Sequence, residues 1–315
     1  MLKNAKKILV AGGSGFLGKA VVARLETLYP QIKVTVPRSR DCDLRVWENT
    51  YRAVQGMDGV LHLAGKVGGI GLNRDKPGEL FYDNLMMGAN LIEACRRAGV
   101  PKLLIAGTVC CYPKFSPVPF KEENLWEGYP EETNAPYGIA KKALMVQAQA
   151  YRQQYGMNAI FLLPVNLYGP GDNIDLHTSH VIPALIRKIS ETKQRKLPSV
   201  TVWGDGSPTR EFLYVEDAAE GLLLAMEKYN SPEPINLGSG QEISIKDLIQ
   251  KIATFMKFQG KIEWDKSQPN GQPRRCLDIS KAEKQFGFRA RTSFDEGLRK
   301  TIEWYERTHE TVASR

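Results

Sequence analysis

The stretch VAGGSGFLG, Val10 to Gly18, decides how this chain is read. It closes the apolar run KILVAG (Lys7 to Gly12) and opens the helical pattern FLGKAVVARLET (Phe16 to Thr27), with Gly12, Gly15 and Gly18 in GxxGxxG spacing. Glycine between a first strand and a first helix allows a tight turn, lets backbone N–H groups approach a pyrophosphate, and lets the helix pack close to the strand. Gly-rich turns are common, so it is this position that carries the reading. Gly12, Gly13, Ser14, Gly15, Phe16, Leu17 and Gly18 are the expected dinucleotide-binding turn.

Outward from that turn, short apolar runs alternate with helical patterns. Strands are expected near IKVTVP (32–37), DGVLHLAG (58–65), KLLIAG (102–107) and AIFLLPV (159–165), with a long helix ending at Gly99 and another beginning near Tyr137. Such alternation implies right-handed crossovers and a parallel sheet covered on both faces. The expected fold class is α/β: a doubly wound (Rossmann) parallel sheet with a smaller C-terminal α/β substrate lobe. After Leu167 the pattern loosens into YGPGDNIDLHTSH (168–180); helices follow near 180–192, 215–229, 244–256 and 293–308, with short strands in SVTVW and PINLG. Ser244 with Asp247, and Ser293 with Glu296, mark two helix starts. The expected division is 1–167 for the dinucleotide and 168–315 mainly for substrate, with the chain crossing back to the first domain around 205–240. A cleft at the carboxyl edge of the sheet is then the default ligand site.

Composition narrows the partners. The chain has 315 residues, 42% hydrophobic and 25% charged, which is ordinary for a soluble globular protein. No apolar run approaches the ~20 residues that cross a bilayer, and Met1 leads into KILVAGG with no apolar signal region. A cytoplasmic protein with no membrane partner is expected. The net charge of +8 favours an anionic ligand, but the basic residues are dispersed and no zinc-finger or RNP-like segment occurs, so nucleic acid is not expected. Five scattered cysteines and four histidines lack CxxC or HExxH spacing, which argues against a disulfide framework and a metal site. By residue type alone the pair Cys110-Cys111 in GTVCCYPK (107–114) is either a reactive thiol or two buried small hydrophobes.

The end of the second strand bears on the cofactor. An acidic residue there would bind a ribose 2'-hydroxyl, whereas VTVPRSRDCDL offers Arg38 and Arg40 first, which favours a 2'-phosphate and hence NADP(H). Asp43 lies further on, toward the adenine; the alternative is two solvent-facing arginines. Tyr137 and Lys141 stand four residues apart on one helix face, about 30 residues after the Thr108 hydroxyl at a strand end. A neighbouring ammonium stabilises phenolate, so Lys141 is expected to lower the Tyr137 pKa and let the phenol pass a proton near neutral pH.

With these features the chain resembles the extended short-chain dehydrogenase/reductase superfamily. LHLAGKVGGI (61–70), CCYPK (110–114), ETNAPYGIAK (132–141), PVNLYGPGDN (164–173), SHVIPAL (179–185), VWGDGSPTREFLYVED (202–217) and PNGQPRR (269–275) are similar to the GDP-L-fucose synthase family within it, over essentially the whole chain. The resemblance implies an NADPH-dependent 3,5-epimerase and 4-reductase acting on GDP-4-keto-6-deoxy-D-mannose; the alternatives are a relative acting on another 4-keto sugar nucleotide and a non-catalytic dinucleotide-binding regulator. It implies that Cys110 and His180 exchange protons with the sugar, a task suited to a thiol and an imidazole, while Cys111 is packing. Tyr137 would protonate the C4 oxygen, Thr108 would hydrogen-bond the same oxygen, and Lys141 would also hold the nicotinamide ribose. Ala64, Pro164, Asn166, Leu167 and His180 are implied cofactor contacts. Lys188, Trp203, Arg210 and Asn270 are implied contacts to the guanosine diphosphate, Arg210 as a two-oxygen clamp. The family has two serines where this chain has Thr108 and Val109, an arginine at Lys188 and an aspartate at Asn270. It also implies a homodimer through the helices around 80–98 and 137–155.

Overall fold

A computed structural model describes residues 1–268 and 270–309. The segment 269–275 therefore enters the description from Asn270 onward. The first part of the chain runs β1 (Lys7–Ala11), α1 (Phe16–Leu28), β2 (Lys33–Thr35), α2 (Trp47–Val54), β3 (Gly59–His62), α3 (Ile70–Asp75), α4 (Pro77–Arg97), β4 (Leu103–Ala106), α5 (Ala135–Tyr155) and β5 (Ala159–Pro164). It continues through β6 (Asn166–Tyr168), α6 (Val181–Gln194), β7 (Ser199–Trp203), β8 (Thr209–Tyr214), α7 (Val215–Lys228) and β9 (Ile235–Leu237). Last come β10 (Glu242–Ser244), α8 (Ile245–Phe255), β11 (Lys261–Asp265), α9 (Ser280–Phe286) and α10 (Phe294–His309).

Six parallel strands form the main sheet in the order β2-β1-β3-β4-β5-β9. Every residue of β3, β4 and β5 is buried, as expected for strands covered on both faces, and this explains their unbroken apolar runs. The α/β, doubly wound architecture read from the sequence is the one observed. The strand order reverses between β1 and β3, and a crevice opens at that point beyond the carboxyl ends of both strands.

β9 reaches the far edge of this sheet only after β6, β7, β8 and α7 have been built, and it pairs with β5 from Leu162–Ile235 to Pro164–Leu237. α7 packs against α1 on the sheet's flank. A second core lies apart from the first. In α6 the buried Ile182, Leu185, Ile186 and Ile189 recur at helical spacing, and they meet Leu248 and Ile252 of α8. Around this core, β10-β8-β6 and β11-β7 form two small sheets. Ser244 caps α8 by accepting from the Asp247 N–H at 2.9 Å, and Ser293 accepts from the Glu296 N–H at 3.3 Å.

Candidate active site

The glycine turn sits at the reversal point. Gly12 has φ +86°, a conformation open to glycine, and a Cβ there would lie 2.6 Å from the Ala64 nitrogen at the end of β3. At Gly15 a Cβ would meet only the Gly12 oxygen, so the space beyond it is open. No side chain caps α1 at Gly15, and its first-turn N–H groups have no intrahelical partner. This uncapped N-terminus facing open space suits a pyrophosphate, so the residues present fit a dinucleotide.

The cleft that begins there has a volume of about 460 Å³, inside the roughly 300–1,000 Å³ typical of ligand pockets. It is lined by Gly12, Ser14, Gly15, Phe16, Leu17, Gly18, Ala64, Thr108, Cys110, Tyr137, Lys141, Pro164, Asn166, Leu167 and His180, all of them read from the sequence as site residues. Gly13 stands behind the turn, where a Cβ would run into Val36. Arg38 and Arg40 flank Ser39, which lines the cleft, but both are exposed and Arg40 pairs with Asp41 at 3.1 Å. Asp43 lines the same end, its carboxylate accepting from the Arg45 guanidinium at 2.7 Å.

The proton-handling groups are placed by one close contact. A Cβ at Gly138 would lie 2.3 Å from the Cys110 carbonyl oxygen, so glycine lets the start of α5 rest on the 109–111 turn. That brings Tyr137 beside Thr108, whose hydroxyl accepts from the Cys110 N–H at 3.2 Å and caps the same turn. Lys141, 2% exposed, donates to the Ala106 carbonyl at 3.1 Å, and burial pushes its pKa down to about 8. The expected depression of the Tyr137 pKa is not what the structure shows. Burial raises it, the nearby Cys110 and Cys111 sulfurs add to the rise, and a hydrogen bond with Thr108 offsets part of it. The Lys141 ammonium is 6.0 Å from the phenol ring centroid, and desolvation outweighs it.

The two cysteines differ in setting. Cys111 is buried, its thiol donating to the Gly138 carbonyl at 3.5 Å, and burial pushes its pKa up to about 12. Cys110 is partly exposed and lines the cleft, as does the exposed His180. Desolvation by the cleft walls, then the Arg275 charge, holds the His180 pKa below its usual value. Arg275 was not singled out from the sequence. It is buried, its Nη1 is 3.9 Å from the Cys110 sulfur, and its Nε and Nη2 donate to Gln272 Oε1 at 3.1 and 3.0 Å. Only the paired arginines of QPRR hinted at it.

Lys188, Trp203, Arg210 and Asn270 do not line this cleft; they gather on the neighbouring lobe. The Lys188 ammonium lies 5.6 Å from the Trp203 ring centroid, and the indole is half-exposed. Asn270 Oδ1 accepts from the Asp205 N–H at 3.0 Å, and its carbonyl accepts from Arg210 Nη2 at 3.4 Å. Burial, with Arg275 as second cause, brings the Arg210 pKa down to about 10. Among the described residues Arg210 bonds only to carbonyls, Thr209 at 2.7 Å being the other, so its fork is not committed to a carboxylate.

The model of the NAD dependent epimerase/dehydratase family matches residues 8–238. The chain is 42% identical over 302 residues to a GDP-L-fucose synthase of Sinorhizobium fredii, covering 96% of each. Among solved structures, it is similar to a GDP-L-fucose synthetase from Naegleria fowleri bound to NADP, with TM-score 0.87, 30% identity, and coverage of 97% of this chain and 95% of that one. It is also similar to a GDP-6-OMe-4-keto-L-xylo-heptose reductase from C. jejuni, with TM-score 0.90, 26% identity, and coverage of 96% and 98%.

Proposed function

The chain belongs to the NAD dependent epimerase/dehydratase family, and within it we propose an NADP-dependent nucleotide-sugar enzyme that converts GDP-4-keto-6-deoxy-D-mannose to GDP-L-fucose, inverting C3 and C5 and then reducing C4. The observation that carries this reading is the single cleft in which two kinds of chemistry meet: the Thr108, Tyr137 and Lys141 set beside the glycine turn, and Cys110 with His180 across from it.

Gly12 to Gly18, Ala64, Lys141 and the Pro164 to Leu167 segment would hold the cofactor, with Arg38 and Arg40 reaching its 2'-phosphate. NADPH, when bound, supplies hydride to C4. The chain's own residues handle the protons. A C4 ketone acidifies the hydrogens on C3 and C5, so inversion needs one group to remove a proton and another to deliver one on the opposite face. Cys110 and His180 do this. Tyr137 holds its proton at neutral pH because burial keeps the phenol un-ionised, and it gives that proton to the C4 oxygen. Thr108, whose hydroxyl also hydrogen-bonds Tyr137, would bond the same oxygen. On the other lobe, Trp203 covers the base and Arg210 grips the diphosphate.

The enzyme works as a homodimer in the cytoplasm on this reading. α4 and α5 pack on each other and leave Phe81, Tyr82, Val146 and Tyr155 exposed, an apolar face suited to a second copy. Light scattering on the purified chain tests it, a monomer at micromolar concentration being the adverse result.

Turnover of GDP-4-keto-6-deoxy-D-mannose with NADPH in deuterated water tests the activity. GDP-L-fucose carrying deuterium at C3 and C5 is the expected product; NADPH oxidation without deuterium would leave a plain 4-reductase. The likeness to the GDP-6-OMe-4-keto-L-xylo-heptose reductase supports a second reading, a GDP-linked 4-keto heptose as substrate. A higher kcat/KM for the heptose than for the 6-deoxyhexose would select it.

A further inference from the structure

Arg275 is buried and Arg210 partly so, and neither has an ion-pair partner among the described residues. A buried guanidinium without a carboxylate calls for an anion that arrives later. For Arg275 the geometry says where that anion forms. Its Nη1 already points at the Cys110 sulfur at 3.9 Å, and its other two bonding nitrogens are fixed on one amide oxygen, Gln272 Oε1.

Gln272 is itself locked. It is 5% exposed, and its Nε2 donates to the Lys114 carbonyl at 2.8 Å and the Pro113 carbonyl at 3.5 Å, in the loop that follows Cys110. The backbone that carries Arg275 is clamped too: its carbonyl accepts from the Glu211 N–H at 2.9 Å, and Glu211 Oε2 accepts from the Leu277 N–H at 2.6 Å. Arg275 is thus held from both sides with one N–H aimed at the thiol.

We propose that Arg275, oriented by Gln272, is a further catalytic residue of the epimerising steps, receiving the negative charge on the Cys110 sulfur whenever that thiol is deprotonated. The proposal rests on the reading of Cys110 and His180 as the proton-exchanging pair. When the thiol delivers a proton, the S–H bond breaks, a C–H bond forms, and the electron pair stays on sulfur beside Arg275. When the thiolate removes one, the S–H bond forms and the electron pair of the broken C–H bond enters the enolate conjugated with the C4 carbonyl. His180 makes the complementary transfer on the opposite face, and the proton count closes through solvent. The other charged or titratable groups facing Cys110 are Arg210, Tyr137 and Cys111. Tyr137 and Cys111 are neutral at pH 7, and Arg275 is the cation bonded to the sulfur.

The test separates proton exchange from reduction. Wild type, Arg275→Met, Arg275→Lys and Gln272→Ala are each incubated with GDP-4-keto-6-deoxy-D-mannose and NADP+ in deuterated water, where no hydride is transferred, and deuterium at C3 and C5 is followed by NMR. Arg275→Met should slow exchange about 10²-fold. Arg275→Lys, which keeps the charge, should recover part of it, and Gln272→Ala should lose about 10-fold through misplacement of an intact cation. With NADPH, Arg275→Met should give sugar reduced at C4 without inversion. Wild-type exchange in Arg275→Met overturns the inference alone, as does an equal loss of exchange and reduction in every variant that still binds NADPH. No exchange in the wild type overturns the reading of Cys110 and His180, and the inference with it. Should Arg275→Met not fold, Gln272→Ala decides by the same criteria.

Discussion

The Lys141 ammonium donates to the carbonyl oxygen of Ala106 at 3.1 Å, joining α5 to the last residue of β4 with no carboxylate in between. It is a buried cation satisfied by a neutral acceptor, which is why its pKa falls to about 8. Below pH 8 both the folded and the unfolded chain carry the proton, and burial of the charge is a cost. Between about 8 and 10.5 the folded chain releases it first, so stability rises with pH across that window. Lys141→Met should therefore raise the melting temperature at pH 7, by a gain of up to about 3 kcal/mol, while abolishing reduction. Calorimetry at pH 7 and 10 checks this; a variant less stable at pH 7 would be the contrary result.

On the proposed mechanism, Tyr137→Phe removes the proton for the C4 oxygen and little else. NADPH oxidation should drop by roughly 10²–10⁴-fold, while deuterium entry at C3 and C5 continues. The two rates measured on one sample check it. If exchange falls as far as reduction, the phenol serves both steps.

His62 is fully buried at the end of β3, and neither ring nitrogen has a partner. Burial, then the nearby Lys141 charge, holds its pKa well below 6.5. The unfolded chain binds that proton as pH falls through 6.5 and the folded chain does not, so stability declines on the acid side. His62→Leu should flatten the decline by at most about 1.4 kcal/mol per pH unit. Denaturation midpoints at pH 5 and 7.5 read it out.

Trp203 is half-exposed and stands under the Lys188 ammonium. Trp203→Ala should raise KM for the GDP-sugar by roughly 2- to 10-fold, from a stacking contribution of roughly 0.5–1.5 kcal/mol. kcat should hold, since the residue is remote from the reacting carbons; a fall in kcat instead would move Trp203 into the chemistry.

Glu211 has a fully buried carboxylate that accepts from the Gly240 N–H at 2.7 Å and the Leu277 N–H at 2.6 Å. An amide has one acceptor oxygen where the carboxylate has two, so Glu211→Gln should leave a buried N–H unpaired and lower stability by about 2–4 kcal/mol. Urea unfolding measures it.

How much of this was legible depended on the range of the interactions involved. The glycine turn and the Tyr137-Lys141 pair are local: a strand end, a helix start and one helix face fix them, and the sequence displays all three. The Rossmann sheet was likewise readable from the buried runs of β3, β4 and β5. Short elements such as α2 and α9 went unread, having too few turns to show a period. The Tyr137 pKa was misjudged in sign because spacing reveals the neighbouring ammonium but not the burial that overrides it. Arg275 was invisible for a similar reason. Its reach to Cys110 spans 165 positions and depends on Gln272 and Glu211 holding a segment that has no periodicity of its own.

The late arrival of β9 also sets a schedule for biosynthesis. A ribosome must deliver Leu237 before the sheet begun at Lys7 can acquire its last strand, and α7 before α1 has its neighbour. Until then β5 is an open, apolar edge, the kind that pairs with other chains. A fragment stopped at Leu167 would stay in that condition permanently, so residues 1–167 are not a module that can be cut out and expressed alone.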